Sequence, residues 1–339
     1  MNLPRLLSLA LSLSFLVLAG CGKPDTALST AATAAPAKIK LGFLVKQPEE
    51  PWFQDEWKGA ANAAAKYGFE LVTQGVQDGE KVMAMVDNLA VAGAQGFVIC
   101  TPDVRLGPAL MARAKARGLK VITVDDQFVA DGKFMADVPY LGMSATRIGA
   151  QQGQTLFAEA KKRGWRTEDT AVCAVTFEEL ATARERTAGS IAALKAAGFP
   201  ADRIFKAAQK TTDIPGSFDA ANILLTQHPE VKRWLILGMN DSAVLGAVRA
   251  VEARGFTADT AVGIGINGTD CLDELRKAKP TPFSGSMRVS AIGEGYRTAE
   301  MLFKWVKDGT QPALDTRTEG TLMTRENFEQ VIKQESSQP

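Results

Sequence analysis

The chain has 339 residues, which at ~150 residues per domain predicts about two domains. Hydrophobic residues make up 46% and charged residues 23%, a globular balance that excludes a mostly disordered chain. The net charge of +1 favours neither nucleic acid nor an anionic membrane surface as a partner, and a single histidine, His228, excludes a His-rich metal site. Because Pro229 follows it directly, we interpret His228 as a helix-end residue and not as a catalytic base.

Residues 1–21 have the pattern of an export signal. One arginine precedes an apolar run over 6–20, which at ~1.5 Å per residue is too short for a ~30 Å hydrocarbon core. The run ends in Leu-Ala-Gly-Cys, which resembles the lipobox of bacterial lipoproteins, and by that resemblance Cys21 would carry the lipid. Cleavage near the following Ala-rich stretch is the alternative. Residues 22–37 are small and unpatterned, as expected of a flexible tether.

From residue 38 onward, short apolar runs alternate with amphipathic stretches. Strands are predicted over 38–46, 69–76, 96–101, 120–126, 171–177, 203–208, 234–239 and 261–267. Helices are predicted over 53–67, 79–93, 105–117, 146–163, 180–197, 217–228, 241–255 and 290–308. This alternation indicates an α/β fold with parallel sheets. Its two groups of units favour two doubly wound lobes over one closed barrel, joined near 139–149. The short strand-like segments 283–289 and 318–324 bracket one helix, and we interpret them as connections back between the lobes.

Few motifs point to chemistry. Gly263 to Gly268 match GxGxxG, but the alternating Ile residues indicate a strand through the glycines and no acid follows at the spacing of a ribose ligand. After export, Cys100, Cys173 and Cys271 remain, without CxxC spacing. We therefore expect no zinc, and three buried thiols in preference to one disulfide. No cofactor and no catalytic device are predicted.

Polar side chains do gather where the predicted strands end, which is where open α/β sheets bind ligands. These residues are Lys46, Glu50, Trp52, Phe53, Asp125, Asp126, Glu178, Glu179, Thr182, Arg186, Met239, Asn240, Asp241, Asn267 and Asp270. The structural alternative makes Asp241 one helix N-cap, Thr269 or Asp270 another, and Asp126 a turn residue. Taken together, the charged and amide groups suit the hydroxyls of a small sugar and the aromatic rings suit its C–H faces.

Five segments carry a resemblance to a known family. They are KLGFLVKQPEEPWFQDEWK (40–58), VITVDDQFV (121–129), ELATARERT (179–187), WLILGMNDSAVLG (234–246) and IGINGTD (264–270). They closely resemble the arabinose-binding members of the periplasmic sugar-binding proteins of bacterial ABC importers. The resemblance covers residue 38 to about 330. It implies a type I periplasmic binding protein, with two Rossmann-like lobes joined by a three-crossing hinge that close over one monosaccharide.

The resemblance also implies a role for each site residue. Direct hydrogen bonds to the sugar are implied for Lys46, Glu50, Asp126, Arg186, Asn240 and Asn267. Apolar contacts are implied for Trp52 and Phe53, and a lining or bracing role for Met143, Leu180, Thr182, Met239, Asp125 and Asp270. Arg186 is further expected to pair with a carboxylate of the site. The family pattern is broken at Val289, Glu294 and Ala181. The resemblance implies that the region of Val289 and Met143 bears on sugar discrimination, which leaves the choice among arabinose, galactose and fucose open.

The expected organisation is a signal with its lipobox cysteine over 1–21, a tether over 22–37, a first lobe of 38–144 with 288–317, and a second of 145–287 with 318–339. The expected partners are a monosaccharide, an importer permease and a chemoreceptor. We expect the chain to be monomeric and periplasmic, and to contact the membrane only through its lipid. A binding protein for another sugar such as galactose or xylose, a repressor of the same fold and an exported sugar enzyme are the alternatives. A repressor would need an N-terminal helix-turn-helix where the signal stands.

Overall fold

The computed structural model describes residues 38–336, so the predicted signal, tether and Cys21 lie outside the described residues. The first part of the fold contains β1 (Lys40–Val45), α1 (Pro51–Tyr67), β2 (Glu70–Gly75), α2 (Gly79–Val91), β3 (Gly96–Ile99), α3 (Gly107–Ala116), β4 (Lys120–Val124), β5 (Val129–Ala130), β6 (Lys133–Phe134) and β7 (Tyr140–Met143).

The chain continues with α4 (Ala145–Lys162), β8 (Thr170–Thr176), α5 (Ala181–Ala196), β9 (Ile204–Ala208), α6 (Ile214–Gln227), β10 (Arg233–Gly238), α7 (Asp241–Glu252), β11 (Ala261–Asn267), α8 (Leu272–Arg276) and β12 (Phe283–Arg288). It ends with α9 (Ala291–Asp308), β13 (Asp315–Thr318), β14 (Thr321–Thr324) and α10 (Phe328–Ser336).

Two six-stranded sheets organise these elements. The first has the order β13-β7-β4-β3-β1-β2 and the second the order β14-β12-β11-β10-β8-β9. All neighbours are parallel except β12 and β14. We call the first sheet with α1, α2, α3 and α9 the first lobe, and the second sheet with α4 to α8 and α10 the second lobe. The prediction of an α/β fold with two doubly wound lobes is confirmed.

The two sheets have the same topology, although no internal repeat is visible in the sequence. In each, the second strand in sequence lies outside the first, and the third strand lies on the other side. The direction of winding therefore reverses between β1 and β3 in the first sheet and between β8 and β10 in the second. A doubly wound sheet opens a crevice at that point, beyond the carboxyl ends of its strands.

Three short segments join the lobes. They are Ser144 between β7 and α4, Val289 and Ser290 between β12 and α9, and 319–320 between β13 and β14. The Ser144 backbone N–H donates to the Thr318 carbonyl over 2.8 Å, so two of the three crossings are bonded to each other.

Glycines let two pairs of helices approach closely and so fix the site's supports. A Cβ on Gly295 of α9 would lie 2.0 Å from the Glu56 carbonyl oxygen of α1. Likewise, a Cβ on Gly149 of α4 would lie 2.0 Å from the Arg186 carbonyl oxygen of α5. Neither position has room for a side chain, so α9 packs directly against the backbone of α1, and α4 against that of α5. This close packing fixes the positions of the backbones that carry Glu56 and Arg186.

The predicted strands and helices are observed with ends shifted by up to three residues, and His228 is the C-cap of α6, as predicted. The strand β11 runs through the GxGxxG glycines, which confirms that interpretation. The segments interpreted as connections contain the strands β12, β13 and β14, and β7 lies in the predicted junction at 139–149. The strand character expected of 283–289 and 318–324 is therefore observed, and each segment contains residues of a crossing between the lobes. Cys100, Cys173 and Cys271 are all buried.

Candidate functional site

The candidate site lies between the lobes, at the crevices of both sheets. Lys46 follows β1, and Glu50 is the N-cap of α1, whose Pro51 starts the helix and whose first turn carries Trp52 and Phe53. From the second lobe, Thr182 and Arg186 lie on α5, Asn240 is the N-cap of α7, and Asn267 ends β11. The two sets face each other across the cleft.

Asp126 is the most heavily bonded carboxylate of the site. It is 3% exposed and accepts hydrogen bonds from Lys46 Nζ at 2.7 Å and from Thr182 Oγ1 at 2.7 Å. Burial alone would raise its pKa, but the charge and hydrogen bond of Lys46, with Thr182 and Arg186, hold the pKa of Asp126 below its usual value. Asp126 is therefore ionised at neutral pH. The bond to Thr182 joins the first lobe to the second.

Asp125 faces the opposite way and holds Trp52. The Trp52 indole N–H donates to both carboxylate oxygens of Asp125 at 3.2 Å, and the Tyr140 hydroxyl donates to the Asp125 carbonyl at 2.9 Å. Its φ of 60° lies in the left-handed region, which Asp tolerates better than most residues. Burial and the neighbouring Asp126 raise the pKa of Asp125 to about 6. This backbone geometry directs two consecutive carboxylates to different partners.

Arg186 does not pair as expected. It is 8% exposed, and its Nε donates to the Thr182 carbonyl of its own helix over 3.1 Å. Among the described ion pairs none joins Arg186 to a carboxylate within 4.0 Å, so the expected pairing was wrong. Burial lowers the pKa of Arg186, an effect that the charges of Asp126 and Asp125 partly offset. The guanidinium N–H groups not used by the helix are available to a ligand.

The second lobe adds two amides. Asn240 uses its side-chain oxygen to cap α7, accepting from the Ala243 N–H at 2.9 Å, so the structural alternative that made Asp241 the cap was wrong. Asn267 has a φ of 97°, and its side-chain oxygen is buried without a hydrogen-bond partner among the described residues. A buried acceptor that the protein leaves unbonded fits a ligand hydroxyl.

One cavity gathers the predicted residues. Its lining includes thirteen of the fourteen: Lys46, Glu50, Trp52, Phe53, Asp125, Asp126, Met143, Leu180, Thr182, Arg186, Met239, Asn240 and Asn267. Asp270 does not line it. Instead, Asp270 accepts from the Ser242 hydroxyl at 2.9 Å, behind the start of α7. Glu178 and Glu179 do not line it either, and Glu179 faces a wider cavity of about 1260 Å³ that continues toward solvent.

Burial also changes the acid–base behaviour of Glu50. Desolvation and the repulsion of Asp270 raise the pKa of Glu50 to about 7, although Lys46 acts in the other direction. Gln47 donates to Glu50 Oε1 at 2.8 Å. Glu50 thus changes between hydrogen-bond donor and acceptor near neutral pH, while Asp126 stays an acceptor.

Sequence reasoning missed several residues of the site. Gln47 and Thr212 line the cavity, and the Cys100 thiol lies 3.8 Å from Asp126 Oδ2. Behind the Trp52 side, two carboxylates approach Asp125: that of Glu56, which was missed, and that of Glu294, which was noted only as a departure from the family pattern. An acid on the apolar face of an otherwise amphipathic helix was the available signal for Glu56, since it shares that face with the buried Trp52, Phe53 and Gly59.

The fold and the cleft define a class of protein. Residues 38–330 match the family described as periplasmic binding proteins and sugar binding domain of LacI family, and the chain belongs to this family. Over 303 residues it is 54% identical to the L-arabinose-binding periplasmic protein of Escherichia coli (strain K12), a match that covers 89% of this chain and 92% of that protein.

Further relatives agree with this assignment. The ABC transporter L-arabinose-binding periplasmic protein of Azospirillum brasilense is 48% identical over 88% of this chain and 90% of that protein. A periplasmic solute binding protein from Actinobacillus succinogenes 130z, solved with bound D-allose, matches with a TM-score of 0.73 at 17% identity, over 86% of this chain and 100% of that one. That second likeness supports the fold alone. None of the helices within residues 38–336 combines the length and apolar character needed to cross a bilayer.

Proposed function

We propose that this chain is the sugar-binding subunit of a bacterial ABC importer and binds one molecule of L-arabinose between its lobes. The observation that carries the proposal is a cavity that both lobes line, with Lys46, Asp126, Arg186, Asn240 and Asn267 among its residues. Charged and amide groups make strong, directional hydrogen bonds to sugar hydroxyls, and Trp52 and Phe53 supply an apolar face. Two relatives, 54% and 48% identical, carry L-arabinose binding in their names.

The test is titration calorimetry with L-arabinose, D-galactose, D-fucose, D-xylose and D-ribose. We expect a 1:1 complex with L-arabinose, and comparable or weaker binding of D-galactose and D-fucose. At a ligand concentration about 100 times the dissociation constant, linkage adds ~2.7 kcal/mol to the free energy of unfolding. Absence of heat and of thermal stabilisation with all five sugars at millimolar concentration contradicts the proposal. Conversion of a sugar, followed by NMR, would indicate an enzyme.

Delivery to a permease requires that the loaded and empty states differ. We propose that the predicted lobes, 38–144 with 288–317 and 145–287 with 318–339, close about the three crossings when sugar binds. The bond from Thr182 to Asp126 supports this view, because it joins the two lobes across the cleft and would have to break for the lobes to separate. X-ray scattering should give a smaller radius of gyration with arabinose. An unchanged radius at saturating sugar means that the empty protein is already closed.

The N-terminal predictions complete the proposal. The chain would be exported to the periplasm, lose residues 1–20 and carry lipid on Cys21, with 22–37 as its tether. Metabolic labelling with a fatty acid should mark the wild type and leave Cys21→Ser unlabelled as an uncleaved precursor. A mature product that starts near residue 35 without lipid would contradict the lipobox. We expect the protein to be a monomer, which light scattering tests. Its expected protein partners are an importer permease and a chemoreceptor, which pull-down experiments test.

A further inference from the structure

A second group of charged side chains lies behind the wall of the cavity. One carboxylate oxygen each from Glu56 of α1, Asp125 after β4 and Glu294 of α9 lie within 4.8 Å of one another. Glu56 and Glu294 are both 0% exposed. Both oxygens of Glu56 and Oε2 of Glu294 have no hydrogen-bond partner among the described residues. We call these three side chains the carboxyl cluster.

The cluster has few compensating charges. Lys46 attracts Glu56 and Asp125, but its ammonium bonds directly to Asp126, which is a fourth carboxylate. Arg186 and Arg297 attract Glu294 from farther away. The other ionisable groups that act on the cluster are the buried Cys100 thiol, next to Asp125, and the Tyr140 phenol. No cation is within 4.0 Å of Glu56 or Glu294 among the described ion pairs.

Three ionised carboxylates in this setting are costly. Like charges within 4.8 Å of one another in a desolvated site repel strongly. A buried carboxylate without a bonded donor also loses its solvation. Burial and the repulsion of Asp125 raise the pKa of Glu294 to about 8, and burial raises that of Glu56 well above its usual value. A proton on one of these oxygens removes one charge and supplies the missing donor.

We propose that the carboxyl cluster of Glu56, Asp125 and Glu294 retains a proton at neutral pH, and that Glu56 and Glu294 thereby act as positioning residues for the sugar site. Asp125 connects the cluster to the ligand because it accepts both hydrogen bonds from the Trp52 indole N–H. A carboxyl O–H directed at Asp125 from the cluster orients that carboxylate and, through it, the ring of Trp52. This inference rests on the proposed sugar-binding function.

The cluster is also bonded to the hinge. The Thr318 hydroxyl at the third crossing donates to Glu294 Oε1, and the Thr318 carbonyl accepts from Ser144 at the first crossing. Glu294 itself lies four residues after Ser290 of the second crossing, whose carbonyl accepts its backbone N–H at 2.9 Å. Closure that expels water from the cleft will raise the carboxyl pKa values further. Above neutral pH, where part of the cluster in the sugar-free protein has ionised, sugar binding therefore takes up protons from the buffer.

The experiment is a pH series of arabinose dissociation constants for the wild type, Glu294→Gln and Glu56→Gln. Uptake of one proton raises the dissociation constant by up to tenfold per pH unit, so we expect a rise of about threefold or more between about pH 7 and pH 9 in the wild type. A glutamine in the cluster cannot ionise and keeps an N–H donor for Asp125. Each variant should therefore bind as the wild type does near pH 6 and show a flatter profile above it.

Glu300→Gln is the matched control, because Glu300 lies six residues after Glu294 on the same helix α9 and already has bonded partners, an ion pair with Lys304 at 2.8 Å and the Tyr67 hydroxyl. Its pH profile should follow that of the wild type. Glu50 also titrates in this range, but its contribution is common to all variants and is removed by comparing them at the same pH. Above neutral pH, calorimetry in two buffers of different ionisation enthalpy should show proton uptake on binding in the wild type and less in Glu294→Gln.

An infrared measurement of the sugar-free protein separates this inference from the proposed function. At about pH 7.5 the wild type should show a protonated-carboxyl C=O band that Glu56→Gln or Glu294→Gln diminishes. If that band differs while arabinose does not bind, the sugar-binding proposal has failed and the retained proton stands. If arabinose binds but the profiles of both variants parallel that of the wild type, the positioning role is wrong. Stabilisation of the wild type by Ca²⁺, lost in both variants, would mean that the cluster holds a cation and no proton.

Discussion

The hydrogen bond from Thr182 to Asp126 gives the sharpest test of the closed cleft. Thr182 is 6% exposed, and its hydroxyl donates to Asp126 Oδ1 over 2.7 Å from the opposite lobe. Thr182→Val keeps the β-branched shape on α5 and removes only the donor. When the cleft closes in this variant, the ionised Asp126 carboxylate is desolvated without the hydrogen bond from Thr182.

A hydrogen bond to a charged group contributes about 1.5–3 kcal/mol, and a bond that exists only in the closed state is lost from the binding free energy. Since 1.4 kcal/mol corresponds to a factor of ten, we expect arabinose affinity to fall by about tenfold to a hundredfold. Lys46 remains bonded to Oδ2 at 2.7 Å, so Asp126 stays ionised and the variant should fold. Titration calorimetry at neutral pH measures the effect.

Thr187→Val provides the matched control. Thr187 is buried on the same helix, and its hydroxyl donates only to carbonyls of that helix, those of Ala183 and Arg184. It should lose little sugar affinity. If Thr182→Val binds arabinose within about twofold of the wild type, the cross-lobe bond does not contribute to closure and the reasoning is refuted.

Three further predictions follow from the same structure. Arg186→Ala should weaken arabinose binding by ~2–5 kcal/mol, because it removes a buried donor to the ligand. Arg184→Ala, at an exposed position, should leave the affinity unchanged. A loss below ~0.5 kcal/mol for Arg186→Ala in calorimetry would mean that Arg186 does not bind the sugar. Gly295→Ala should lower the free energy of unfolding in urea by about 1–3 kcal/mol or more, since its Cβ would lie 2.0 Å from a backbone oxygen of α1; an unchanged midpoint would mean that the helices can separate freely. Glu50→Gln should gain stability relative to the wild type as the pH rises from about 4.5 to 7. The pKa of Glu50 is raised to about 7 in the folded state, so over that window the unfolded chain releases its proton before the folded protein does, and the wild type loses stability. A difference in unfolding free energy between the two proteins that stays constant with pH would contradict the shift.

Several parts of the site were readable from the sequence because they follow strands directly. In a parallel α/β fold the residue after a buried strand must lie at the carboxyl edge of the sheet, so Lys46, Asp126, Asn240 and Asn267 could be placed at one edge without coordinates. A doubly wound strand order was the only further assumption needed to predict that these residues meet in one site. The hairpin of β5 and β6 was also readable, since Asp131 and Gly132 form its turn with positive φ values, but that signal was missed.

Other features depended on segments that meet only in three dimensions. The four-residue strands β7 and β13 are too short for a periodic pattern. They are strands because β7 pairs with β4 and the edge strand β13 pairs with β7, and these partners come from distant parts of the chain. Which lobe each of them joins follows from the three crossings and not from local composition. Arg186 bonds to its own helix and not to the expected carboxylate because Lys46 and Thr182 already occupy Asp126.

The carboxyl cluster shows most clearly what the sequence left open. Glu56 and Glu294 are 238 positions apart, and each stands on an amphipathic helix where an acid is ordinarily solvated. They come together because Gly59 and Gly295 allow α1 and α9 to touch, which turns both side chains inward toward Asp125. The amino-acid pattern thus determined the strands, the helices and the edge at which a ligand binds. Only the packing of distant helices decided which carboxyl groups lose water, and therefore which of them hold a proton.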